Sequence, residues 1–278
     1  MNMSADFFDA ILNRPDPNLS ESEDFWDAKA EPFFACKRTY GTSLTDRVVR
    51  YLSDEGMLGP GASVLDVGCA YGRYALPFAA AARDVTAADI SPRMLELCAE
   101  QAGEKGLSNL ETLKHDWKKD ELGGLKGRFD LVFACMCTPA RTSAGLEKMT
   151  AASRGHCVVA QYVSMKDSIM DALAGELGVD QSADSHNGGD IAWAVFNRQW
   201  LNGFLPRMTF LERNEDRTLS LDEACDRYRM GLGKAASERG VDLRSLLRTQ
   251  ERDGRIRVSG RTILALVSWE VSSGEGRF

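Results

Sequence analysis

The stretch Val64-Leu65-Asp66-Val67-Gly68-Cys69-Ala70-Tyr71-Gly72-Arg73 decides the fold. Its short apolar run predicts a buried strand, and the glycines that follow mark a tight loop. Residues 73–82 then read as a helix, with Pro77 near the first turn, where a missing N–H is tolerated. Strand, glycine loop and helix in that order form a nucleotide site at the carboxyl edge of a parallel sheet. The alternation continues downstream, with strands predicted at 84–89, 110–114, 129–134 and 157–162. Ser91-Pro92 supplies a cap and a first-turn proline for one intervening helix, and 142–153 reads as another.

After residue 162 the alternation breaks. Residues 164–167 read as the cap of a helix to about 177, 179–190 as a loop, and 191–205 as an aromatic-rich helix. Ser220 and Glu223 form a capping box, and strands at 208–212 and 261–271 close the sheet as an antiparallel pair. Upstream, the first 42 residues are acidic and aromatic, with turns at Pro15 and Pro17, and a longer helix starts at Ser43. The expected architecture is α/β: a doubly wound, mostly parallel seven-stranded sheet with an antiparallel last strand. A helical cap (1–42) precedes the main domain (43–278), which carries a lid-like insertion at 163–206.

Composition narrows the function classes. The 278 residues are 44% hydrophobic and 27% charged, which excludes a disordered chain. No apolar run approaches the roughly 18 residues of a membrane helix. Asp6, Asp9 and Asp16 against Arg14 do not suit a targeting peptide. The net charge of −7 opposes binding to phosphate backbones, so no nucleic-acid partner is expected. Seven cysteines, an odd number in a long chain, suit buried thiols in a reducing, cytoplasmic setting. With no C-x-x-C pair and three scattered histidines, no metal site is expected.

The loop chemistry is more specific. The spacing Gly68-x-x-x-Gly72 is not the dinucleotide fingerprint, and Asp66 would repel a pyrophosphate. Asp66 would instead attract an ammonium group, so the loop suits a nucleoside with a cationic tail. Asp89 closes the second strand, where an acid accepts from ribose hydroxyls. Asp116 follows the third strand, where it could accept from an adenine amino group or simply form a turn.

These strings resemble class I S-adenosylmethionine-dependent methyltransferases: the glycine loop 64–72, the acid in Thr86-Ala87-Ala88-Asp89-Ile90-Ser91, Lys114-His115-Asp116-Trp117, and the fourth strand from Arg128 to Ala134. The resemblance implies binding of S-adenosylmethionine, with S-adenosylhomocysteine as product. It implies donor contacts from Asp66, Gly68, Cys69, Ala70, Tyr71, Gly72, Asp89, Ile90, Met94, Asp116, Trp117 and Ala134. Ala70 departs from the pattern, standing where the family's loop has a middle glycine.

The acceptor must enter beside the fourth and fifth strands. Arg38, Tyr40, Cys137, Tyr162, Trp193, Arg198 and Trp200 are the substrate-binding candidates, although the tryptophans at helical spacing also suit core packing. Cys135 and Cys137 sit in an apolar strand end without an adjacent base, which argues for inert thiols. His115 reads as structural. No catalytic base is assigned, which fits an acceptor that is already a good nucleophile. The expected activity is methyl transfer to a small molecule, by a protein with no membrane partner; a homodimer is left open. The alternatives are an RNA or protein methyltransferase and a non-catalytic donor-binding module.

Overall fold

The structure, a computed structural model, describes residues 4–15, 22–40, 43–179 and 188–271, with only the backbone at 36–40, 43 and 230. Helices α1 (Ala5–Leu12), α2 (Glu23–Tyr40) and α3 (Ser43–Asp54) lead into strand β1 (Ser63–Val67). There follow α4 (Ala75–Ala79), β2 (Asp84–Asp89), α5 (Pro92–Glu104), β3 (Leu110–Lys114) and β4 (Phe129–Cys135). Next come α6 (Thr138–Arg141), α7 (Ser143–Ala152), β5 (Ser153–Asp167), α8 (Ser168–Glu176) and α9 (Asp190–Leu201). The chain closes with β6 (Arg207–Leu219), α10 (Leu221–Glu238), α11 (Leu243–Arg248), β7 (Glu251–Arg252) and β8 (Arg255–Glu270).

The sheet runs β3-β2-β1-β4-β5-β8-β6. Its first five strands are parallel, and β8 pairs antiparallel with both β5 and β6. Strand order reverses beside β1, which leaves the crevice outside the carboxyl ends of β1 and β4. All five residues of β1 are buried, as a central strand covered on both faces requires. One face is covered by α1, α7 and α9, through Leu12, Leu146, Met149 and Val195. The other is covered by α3, α4 and α5, through Leu44, Val48, Phe78 and Cys98.

The seven expected strands form the ordered sheet, and the two-residue β7 adds an eighth by pairing with β8 off that path. The chain after residue 162 is organised differently from the expectation. Strand β5 runs on to Asp167, and that carboxylate, not Ser164, caps α8 by accepting from Ile169 and Met170 N–H. The extended ends of β6 and β8 join α8, α10 and α11 around a third core of Leu173, Leu219, Tyr228, Leu232, Ile256 and Val258. Arg227 of α10 locks this extension by ion pairs to Asp167 (2.8 Å) and Glu215 (3.0 Å). The outer halves of β5 and β6 carry charge on both faces, as Lys166 with Asp167 and Glu215 with Asp216, which hides them from a reading of apolar pattern.

Candidate functional site

The loop after β1 alternates into the left-handed region at Gly68 (φ 71°), Ala70 (φ 49°) and Gly72 (φ 88°). This zigzag turns loop N–H groups toward β2: Gly68 and Cys69 both donate to the Ala88 carbonyl, at 2.8 and 3.0 Å. Side chains are excluded at both glycines. A Cβ on Gly68 would lie 2.8 Å from Cys137 Sγ, and one on Gly72 would lie 2.7 Å from Cys98 Sγ.

Asp89 organises the edge. Its carboxylate accepts from the N–H of Ala70 (2.8 Å) and of Ser91 (3.0 Å). Burial raises its pKa, while these N–H groups oppose the rise. Asp66 is more extreme: it is 2% exposed. Burial first, and the nearby Asp89 second, push it up to about 8 against a bond from the Ala75 N–H. Asp66 Oδ2 has no hydrogen-bond partner. A buried carboxyl with a vacant oxygen beside a glycine loop suits a ligand that brings a donor or a positive charge.

The loop is roofed by α2. Tyr71 packs between Phe33 and Phe34, each ring 5.6 Å away, and Ala30 joins Met94 and Leu97 in the same cluster. Asp27 fastens this helix to α5 by accepting from Ser91 Oγ and from the Arg93 N–H. Helix α2 also contacts α10.

The remaining donor candidates sort by position. Cys69 in the loop, Met94 in the first turn of α5 and Ala134 near the end of β4 are buried, and Ile90 is half-buried beside Asp89. Asp116 uses its carboxylate in its own turn, accepting from the N–H groups of Lys118 and Lys119 and pairing with Lys119 Nζ at 3.1 Å. Partial burial would raise its pKa, and these bonds more than offset that. Trp117 is buried and packs on His115 at 5.6 Å. His115 Nε2 is buried without a partner, and burial holds the ring neutral.

The acceptor candidates divide more sharply. Cys137 follows the carboxyl end of β4, and Tyr162 lies within β5 at the same level, its N–H 3.4 Å from Met136 Sδ. Burial pushes Cys135 up to about 11 and Cys137 to about 12, so both are neutral thiols. Helix α9 covers the sheet face instead of closing over the strand ends. Its Trp193 meets Phe8 at 5.0 Å, and Arg198 pairs with Asp9 at 2.7 Å. Trp200 is half exposed. The side chains of Arg38 and Tyr40 lie outside the described residues. Two groups that the sequence reading passed over line the same edge as Tyr162: Arg73, directly after the glycine loop, and Arg213 of β6. Among the described residues no cluster of histidine, cysteine or acid suits a metal.

Comparison with known proteins identifies the core. The family described as a methyltransferase domain matches residues 64–156. Over that span the chain is similar to a methyltransferase domain. The match spans β1 to the early part of β5 and so contains the whole glycine loop, Asp89 and Asp116. The fold agrees with solved structures of low identity. A putative type II methyltransferase from Anaeromyxobacter dehalogenans superposes with TM-score 0.56 at 15% identity, covering 81% of this chain and 96% of that one. The YcgJ protein from Bacillus subtilis gives 0.52 at 15%, covering 84% and 100%. Magnesium protoporphyrin IX methyltransferase from Synechocystis, solved with S-adenosylhomocysteine, gives 0.50 at 17%, covering 88% and 96%. Among curated proteins none matches the chain in sequence. The matched span is flanked by α1–α3 before it, and by α8–α11 with β6, β7 and β8 after it.

Proposed function

We propose that the protein is an S-adenosylmethionine-dependent methyltransferase acting on a small-molecule acceptor. One observation carries the donor assignment: Asp66 is buried at the end of β1 with a carboxylate oxygen unsatisfied, next to a loop bent around two glycines. That group fits an ammonium tail and repels pyrophosphate. Asp89 stands where ribose hydroxyls would be held, with Gly68, Cys69, Ala70, Tyr71 and Gly72 along the loop. Ile90, Met94, Trp117 and Ala134 supply apolar walls. Asp116 would have to release Lys119 to reach an adenine amino group.

When bound, the donor supplies a methyl group on a sulfonium that is already electrophilic. The chain's task is then to align the acceptor and exclude water. Helix α2 roofs the loop through Tyr71, and α10 backs it. We read residues 1–42 as a cap on the methyltransferase domain for this reason. Neither cysteine at the edge offers a thiolate base, since burial holds both thiols neutral, and His115 is packed against Trp117. This favours an acceptor that is itself nucleophilic.

The net charge of −7 supports a small molecule over RNA. No helix among the described residues is long and apolar enough to cross a membrane. A cytoplasmic location remains part of this reading, from the free thiols.

The test has two stages. Calorimetry should show saturable binding of S-adenosylhomocysteine and none of NAD. Labelled S-adenosylmethionine is then incubated with the protein and a cell extract. Label should appear in the low-molecular-weight fraction. Label in RNA or protein would overturn the small-molecule reading, and donor binding without any labelled product would favour a binding module.

A further inference from the structure

Arg73 is a cation for which the donor site gives no use. It leaves the glycine loop toward α3, where its Nε donates to Thr45 Oγ1 at 3.3 Å. Its guanidinium lies 5.7 Å from the Tyr74 ring and near Tyr162, where it opposes the rise in that hydroxyl's pKa caused by burial. Among the described residues no carboxylate pairs with it. Taking a guanidinium out of water without a counter-charge is unfavourable, and chains tolerate it where a ligand completes the pair.

A second cation converges on the same place. In β6, side chains at 209, 211 and 213 share one face, by the two-residue period of a strand. Leu211 is opposite Leu264, which is opposite Tyr162, so Arg213 lies one step further along the same face. Tyr162 feels both guanidinium groups. Arg213 is partly compensated, at 3.4 Å from Glu215. Glu215 also pairs with Arg217 and Arg227, and among the described residues only Asp167 adds a second carboxylate, so the edge is left with net positive charge to which Arg73 adds.

We infer that the acceptor carries a carboxylate, held by Arg73 with Arg213 behind it at the Tyr162 hydroxyl, beside the carboxyl ends of β4 and β5. The inference rests on the methyltransferase reading of this site. A carboxylate supplies the counter-charge that Arg73 lacks, and its flat group suits the guanidinium beside the Tyr74 ring better than a tetrahedral phosphate does. The planar guanidinium also offers a carboxylate two parallel donors. Arg73 follows Gly72 directly, so the loop that would hold the donor also aims the cation that would hold the acceptor.

The test uses benzoate as probe and benzamide as its uncharged isostere, titrated by ligand-observed NMR with and without S-adenosylhomocysteine. Benzoate should bind saturably and benzamide about tenfold more weakly. Inorganic phosphate should not displace benzoate at equal concentration. Arg73→Met should lower benzoate affinity about tenfold while leaving S-adenosylhomocysteine affinity unchanged. Arg73→Gln, which keeps a donor for Thr45, gives the same readout should the methionine variant fail to fold. The inference is overturned by equal binding of the two probes, by displacement with phosphate, or by a folded Arg73 variant that keeps benzoate. Failure of S-adenosylhomocysteine to bind the wild type would instead sink the methyltransferase reading, since the benzoate titration without it stands alone.

Discussion

The carboxylate of Asp89 accepts the backbone N–H of Ala70 at 2.8 Å, tying the end of the second strand to the middle of the glycine loop. One acid therefore shapes the loop and stands at the proposed ribose position. Asp89→Ala removes charge-assisted bonds of about 1.5–3 kcal/mol each. S-adenosylhomocysteine affinity should fall at least about tenfold by calorimetry. Unchanged affinity would exclude Asp89 from the donor site.

Ala70 holds a left-handed φ of 49°, which costs an L-residue roughly 1–2 kcal/mol. Ala70→Gly relieves that strain while loosening the unfolded chain by up to about 1 kcal/mol. The melting temperature should stay level or rise slightly, with donor binding kept. Gly68→Ala should do the opposite, because its new Cβ meets Cys137 Sγ at 2.8 Å at a φ of 71°. Adding Cys137→Ala should recover part of the loss, and a double-mutant cycle measures how much.

Asp66 makes stability pH-dependent. Its carboxyl is raised from 3.8 to about 8, chiefly by burial. The folded state thus holds this proton more tightly than the unfolded chain. The stability it contributes is fully present below about pH 4 and is lost as pH rises through about 8. Urea denaturation should show Asp66→Asn less sensitive than wild type between those limits. Donor binding near pH 7 should release a proton from Asp66, visible as a buffer-dependent heat, and the release should vanish in Asp66→Asn.

Cys135 and Cys137, held up to about 11 and 12 by burial, are not nucleophiles at neutral pH. Iodoacetamide should modify them far more slowly than a free thiol of ordinary pKa. Replacing both with alanine should keep donor affinity and methyl transfer. A folded double variant that binds donor yet transfers no methyl group would restore thiol chemistry to the site.

Deleting residues 1–42 removes α2, and with it the Phe33 and Phe34 contacts to Tyr71 and the Asp27 anchor on α5. S-adenosylhomocysteine should bind more weakly yet measurably, while methyl transfer is lost. Normal turnover by the truncated chain would reduce α2 to a packing element.

By itself the sequence determined the parallel half of the fold and the outline of the donor edge. Strands β1 to β4 are short and bounded by turn residues, and all but the edge strand β3 are largely buried, so their pattern is local, and Asp66, Asp89 and the loop glycines sit at fixed offsets from them. Three things were decided only in three dimensions. Helix α9 was read as a lid because tryptophans at helical spacing suit a pocket or a core alike. Contact with α1 and the sheet face settled which. Asp116 was placed by its position after β3, but its carboxylate was claimed by neighbouring N–H groups and Lys119, a competition that spacing does not reveal. Arg73 and Arg213, 140 residues apart in the chain, both come near Tyr162, and Arg213 does so only through the pairing of β6 with β8 and of β8 with β5. Such long-range register is set by which faces are buried, and one residue of slip would have turned Arg213 to the opposite side of the sheet.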